Sequence, residues 1–260
     1  MCHPEVPAGQ PVPEVDRQEV EVPLSEGGAV PALLARPESG TGPGVMVVAD
    51  VFGRTPFYEA LAARLATAGF EALLPDFFHR VGPPAAPSRE AVFARRGRLD
   101  DNRALEDLRA CLGWMRSRPG YSGHVGTLGF CLGGTFVLDL AALEPDLVTV
   151  CYYGFPQTPG ERKPGSAPTP MELVEHVGGP VLGFWGDQDS GVGMENVAEY
   201  DRRMKAAGKD FVHHVYPGLG HGFMAASGLE PGNDAYEKAC ESWTLALNHW
   251  RRNLVQAVAI

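Results

Sequence analysis

Positive charge is scarce in this chain: 22 Lys and Arg stand against 32 Asp and Glu, a formal net charge of -10. Phosphate backbones and anionic headgroups are held by concentrated basic surface, so neither nucleic acid nor a membrane surface is expected as a partner. The nearest approach to a basic patch, Arg95-Arg96-Gly97-Arg98, runs straight into Asp100-Asp101 and reads as a solvated helix face. Long apolar runs are lacking too. No segment approaches the ~20 apolar residues that cross a bilayer, and the first residues carry no basic, apolar leader. Cysteine is sparse: Cys2, Cys111, Cys131, Cys151 and Cys240 are odd in number and have no C-x-x-C spacing, against both a disulfide framework and a zinc site. Met1-Cys2-His3 has no third ligand near it in sequence, so no metal is expected. Cys111 and Cys151 sit in apolar surroundings and read as core. A free thiol in a reducing cytoplasm is the expectation these absences leave.

What is present suits one core. At 260 residues, 44% hydrophobic and 21% charged, the chain can bury a full interior in a single α/β domain. Residues 1–17 are rich in proline and read as a surface arm, and residues 18–260 as the domain. Segments 19–23 and 29–35, either side of Ser25-Glu26-Gly27-Gly28, read as a β-hairpin. Apolar strands are expected at 44–49, 71–74, 125–130 and 211–216. Helical periodicity appears at 56–68, within 89–118 with a break near Asp100, at 135–143 and at 235–254. Such alternation predicts a mostly parallel sheet with helices on both faces. Residues 156–170 hold too much Pro and Gly for either element and read as a loop at the carboxyl edge, where open sheets bind ligands.

One stretch carries chemistry. Gly129-Phe130-Cys131-Leu132-Gly133-Gly134 follows an apolar strand and opens a helical segment, which is how a strand-to-helix turn presents a nucleophile. Glycines suit the tight turn because Cβ atoms would crowd it, and the helix N-terminus favours a thiolate. The plainer alternative is a buried cysteine in a βα turn. Further along, an apolar run ends in Gly186-Asp187-Gln188-Asp189-Ser190-Gly191-Val192, with either aspartate able to orient a histidine or merely to cap the helix near Gly193. The last alternating strand leads into Gly220-His221-Gly222-Phe223, a flexible setting for an imidazole or only a turn. Nucleophile, acid and histidine occur in the order expected of an α/β-hydrolase, and their conjunction predicts a Cys-His-Asp triad.

With these motifs the chain resembles the dienelactone hydrolase family, which carries G-x-C-x-G-G, G-x-x-D-x-x-V and G-H-x-F. The resemblance runs from about residue 18 to residue 253 and implies an α/β-hydrolase fold, a hydrolase of carboxylic esters or lactones and no cofactor. Its spacing selects Asp189 over Asp187 as the acid beside Cys131 and His221. It also implies an oxyanion hole from the backbone of Leu132 and Val51, and an acid before the loop at Val51-Phe52-Gly53 that biases the cysteine. That acid is Asp50 here, where the family has glutamate. Two arginines hold a substrate carboxylate in dienelactone-cleaving members. Arg89 fills the first place, but Ala225 stands at the second, which puts dienelactone itself in doubt and leaves Arg54, Arg95 or Arg96 to compensate. Phe52, Phe78, Phe93, Tyr152, Tyr153, Phe155 and Phe223 are candidate walls of the substrate pocket, with plain core as the alternative for each. The reading is of a small-molecule ester or lactone hydrolase, monomer or homodimer. The competing readings are a general carboxylesterase on small activated esters, a thiol redox or sensor protein, and a non-catalytic binding module.

Overall fold

The computed structural model describes residues 12–158, 166–228 and 231–255. Most of the proline-rich arm, with Cys2 and His3, and part of the loop expected over 156–170 lie outside these residues. The described chain opens with a hairpin of β1 (Asp16–Pro23) and β2 (Ala29–Arg36), closed by a turn in which Gly27 and Gly28 take φ of 95° and 81°. Pairing begins at Asp16, two residues inside the expected arm. β3 (Gly44–Val48) and β4 (Glu71–Pro75) flank α1 (Pro56–Thr67), whose first turn starts on a proline that needs no N–H partner.

The charged stretch over 89–118 is two helices, α2 (Arg89–Arg96) and α3 (Asp101–Arg116). The break falls at Asp100, whose side chain caps α3 by accepting from Asn102 N and Arg103 N. β5 (Val125–Phe130) then runs into α4 (Leu132–Leu143), which begins at Leu132 rather than at Thr135 as the periodicity suggests. β6 (Leu147–Tyr152), the short α5 (Pro170–Leu173), β7 (Val181–Gly186), α6 (Met194–Ala206), β8 (Phe211–Tyr216) and α7 (Asp234–Trp250) complete the order.

The strands form one sheet in the order β1-β2-β4-β3-β5-β6-β7-β8. β2 runs antiparallel to both neighbours, and from β4 to β8 every pairing is parallel. Every residue of β5, β6 and β7 is buried, which requires cover on both faces, as continuous apolar strands predict. β8, at the edge, is buried at its ends, Phe211 and Tyr216, and exposes Val212 and Val215 between them. Sequence order reverses beside β3, which lies between β4 and β5, so the chain leaves β3 and β5 in opposite directions and opens a crevice at their carboxyl ends.

Candidate active site

The loops that leave the carboxyl ends of β3, β5, β7 and β8 carry Asp50, Cys131, Asp189 and His221. Cys131 sits between β5 and α4 with φ 54° and ψ -115°, a conformation side chains rarely adopt. It is held from both sides: its N–H donates to Tyr152 O at 3.0 Å, and its carbonyl accepts from Thr135 N at 3.0 Å. The glycines permit this by close approach. A Cβ on Gly133 would lie 2.1 Å from Val48 O, so only glycine lets α4 start against the end of β3.

His221 Nδ1 lies 2.7 Å from Asp189 Oδ2. Asp189 is 2% exposed, and its other oxygen accepts from Gly191 N and Val192 N, each at 3.2 Å. Asp187 has a different position. It is exposed, and its Oδ1 accepts from Gly218 N at 2.7 Å, tying the β7 loop to the β8 loop. Neither aspartate is the N-cap of α6, which is Gly193.

Cys131, Asp189 and His221 line one cavity of ≈ 710 Å³, together with Val51, Phe52 and Leu132. Leu132 is the first residue of α4, so its N–H has no place in the helix ladder. The 50–53 turn is held by Asp50, fully buried, whose Oδ1 accepts from Phe52 N at 2.8 Å and whose carbonyl accepts from Gly53 N at 2.9 Å. Tyr58, on α1, shares this neighbourhood. Burial first, then the charges of Asp50 and Tyr153 and more weakly Cys131, hold its phenol far above the usual range. Nothing in the sequence singles out Tyr58, whose position in the first turn of α1 reads only as core.

The expected pocket walls divide. Arg89, Phe52, Phe93 and Phe155 line the cavity, joined by Arg96. Tyr152 and Phe223 do not. Tyr152 is fully buried, stacks on Phe130 and donates its hydroxyl to Ser242 Oγ at 3.2 Å. Phe223 packs edge-on against Tyr153 in the layer behind. The ring that meets His221 is Tyr153, at 5.0 Å and with φ 39°, with Phe155 at 5.5 Å on the imidazole. Both tyrosines touch Phe130 and Phe223, but Tyr153 lies just past the end of β6 with a positive φ, and its ring is the one that reaches the imidazole.

None of the arginines considered as a second anion clamp is free. Arg54 is taken by Glu19 and Glu59. Arg96 is held in a two-pronged pair by Asp101, with contacts of 2.7 and 2.8 Å. Arg95 is 5% exposed and lies outside the cavity wall, which corrects the solvated face expected for 95–98 at that residue, while Gly97 and Arg98 are exposed. Arg89 stacks on Phe93 at 5.4 Å and has no ion pair among the described residues. Among those residues, too, no group of His, Cys, Asp and Glu side chains gathers as a metal site, and no helix is long and apolar enough to cross a membrane.

Residues 30–254 match the model of the dienelactone hydrolase family. The chain belongs to that family. It is 36% identical over 255 residues to a carboxymethylenebutenolidase of Rhodococcus opacus, covering 98% of both chains. It is 33% identical over 230 residues to a probable 2-oxo-3-(5-oxofuran-2-ylidene)propanoate lactonase of Bradyrhizobium, covering 86% of this chain and 89% of the relative. A putative dienelactone hydrolase of Klebsiella pneumoniae superposes with a TM-score of 0.82 at 27% identity, covering 92% of this chain and all of that one. As a dienelactone hydrolase family member, the chain has the α/β-hydrolase fold and is a hydrolase of lactone or ester bonds, acting on a small molecule.

Proposed function

We propose that this hydrolase opens its substrate through an acyl intermediate on Cys131, with His221 as general base and acid and Asp189 orienting it. The observation that carries the reading is the 2.7 Å contact of His221 with buried Asp189, in the wall of the cavity that Cys131 lines from its strained turn. A carboxylate only accepts, so Nδ1 carries the hydrogen and donates it in a hydrogen bond to Asp189, which leaves Nε2 as the basic nitrogen. His221 removes the thiol proton, sulfur attacks the carbonyl carbon, and the displaced electron pair moves to oxygen. The N–H groups of Val51 and Leu132 stabilise that oxyanion, at about 3 kcal/mol for a well-placed donor. As the C–O bond breaks, His221 returns the proton to the leaving oxygen, which in a lactone stays tethered to the acyl group. Water then attacks the thioester, giving a proton to His221, and the acid departs as sulfur regains its hydrogen. Asp50 biases the protonation of Cys131, and Asp50→Ala is expected to change both the pH-rate profile and the rate of thiol alkylation.

The substrate follows from charge. Arg89 is the one arginine of the cavity without an ion pair among the described residues, and Ala225 stands at the family's second position. Lactones or esters with at most one anionic group fit this better than substrates needing two arginines. The lactone-cleaving names of the relatives support a lactone. The same lone cation favours a second reading, a carboxylesterase on small activated esters. A panel of aryl esters and carboxylate-bearing lactones, with mass spectrometry of the protein, tests both. Acyl mass on Cys131 and loss of turnover in Cys131→Ala are expected, and turnover retained by that variant would sink the Cys131 reading. A single domain over 18–260, working in the cytoplasm as monomer or homodimer, belongs to the same proposal. The free thiols of Cys111, Cys131, Cys151 and Cys240 suit that reducing setting.

A further inference from the structure

α2 presents Arg89, Phe93 and Arg96 to the cavity, while Arg95 takes another direction. The Arg95 Nη2 donates to Val51 O at 2.9 Å, and its guanidinium carbon stands 3.9 Å over the Phe78 ring. No carboxylate pairs with it among the described residues, and its Nε has no hydrogen-bond partner. Burial works against its charge, with Asp76 and Asp50 supporting it at longer range. An unpaired guanidinium is costly to bury, and an apolar side chain of similar volume would serve stability as well or better. What only the guanidinium supplies is a cation over the Phe78 ring and, from that anchored place, a fixed donor to the Val51 carbonyl.

That donor meets a turn already tightly drawn. Gly53 closes it at φ 74°, and a Cβ there would come within 3.2 Å of Phe78 and 3.3 Å of Arg95 Nη2. Glycine is therefore demanded by the clamp as well as by the backbone angle. We propose that Arg95 is a positioning residue, clamping the 50–53 turn so that the Val51 N–H stays aimed at the oxygen on which negative charge develops. The inference rests on the Cys131 reading above. It makes one helix serve both the substrate wall and the oxyanion donor, through residues on different sides.

The clamp acts only when charge builds on the carbonyl oxygen, so its loss lowers kcat and kcat/KM together and leaves KM alone. Arg95→Met keeps an unbranched apolar stem in the interior and removes the guanidinium with its donor. With a neutral aryl ester it is expected to lower kcat about 10- to 100-fold, short of the 10²–10³ seen when an oxyanion donor is deleted outright. Arg95→Lys restores part of the loss. Alkylation of Cys131 by iodoacetamide, which builds no oxyanion, proceeds at the wild-type rate in both variants, a result that a collapsed site would not give. The proposal is overturned if folded Arg95→Met keeps kcat within twofold, or if alkylation slows in step with hydrolysis. Should Arg95→Met fail to fold, Phe78→Leu withdraws the ring beneath the guanidinium and is read against the same two outcomes. Turnover surviving in Cys131→Ala sinks the nucleophile reading instead, so the two failures are distinguishable.

Discussion

Cys111 and Cys151 are buried thiols, and burial pushes each pKa up to about 12, with Asp107 adding at Cys111 and a Gly154 backbone contact opposing at Cys151. Cys131 lines the cavity instead. In the native protein iodoacetamide at pH 8 is therefore expected to label Cys131 and to spare Cys111 and Cys151 until the chain is unfolded. Peptide mass spectrometry checks this, and labelling of Cys151 in folded protein would contradict it. Gly133 belongs to the same scale. An added methyl group faces Val48 O at 2.1 Å, a backbone atom that cannot swing away. Gly133→Ala should destabilise by about 3 kcal/mol, the upper end for overpacking, read by urea denaturation. The elbow glycines were legible in sequence because a small-residue frame has few other uses. Tyr153 against His221 was not, since nothing local distinguishes it from Tyr152.

Elements explain where the charge reading went astray. Arg95-Arg96-Gly97-Arg98 looks like one basic face, yet a helix turns about 100° per residue and sends neighbours to different places. Arg95 enters the interior over Phe78, and Arg96 meets Asp101 across the break between α2 and α3. That pair withholds a second cation from the cavity. Asp101→Asn should free Arg96 and lower KM for a carboxylate-bearing lactone about three- to tenfold, allowing for solvent screening, with KM for a neutral ester unchanged. Equal effects on both substrates would show that Asp101 does not set charge preference. Most element positions were readable from periodicity and breakers, including the break capped by Asp100. The start of α4 was read late because Leu132, Gly133 and Gly134 have little helical signature of their own. They are held helical by close packing against β3 and β6.

At the scale of the molecule, Asp107 joins parts distant in sequence. Its buried carboxylate meets His79 Nε2 at 2.8 Å and both prongs of Arg80 at 2.7 and 2.8 Å, and Arg80 reaches on to Glu26 in the hairpin turn. Burial works against its ionisation, but Arg80 and His79 outweigh it and hold the carboxyl below its ordinary range. A lowered folded pKa means the stabilisation is complete above the unfolded value of about 3.9 and is lost as pH falls through the folded value. Asp107→Asn should thus cost about 3 kcal/mol at pH 7, with the deficit shrinking below about pH 4. Denaturant melts at pH 7 and pH 3 read it, and an equal deficit at both would refute the linkage.

The sequence by itself determined the strand and helix alternation, the glycine frame of the elbow, and the order of Cys131, Asp189 and His221, since these depend on local sterics and spacing. Only the tertiary structure decided which arginines face the cavity, which tyrosine meets His221, and that Arg95 lies beneath the Val51 turn. Those outcomes depend on how separate elements pack and on where a buried charge finds a partner, and neither is written in the neighbours of a residue along the chain.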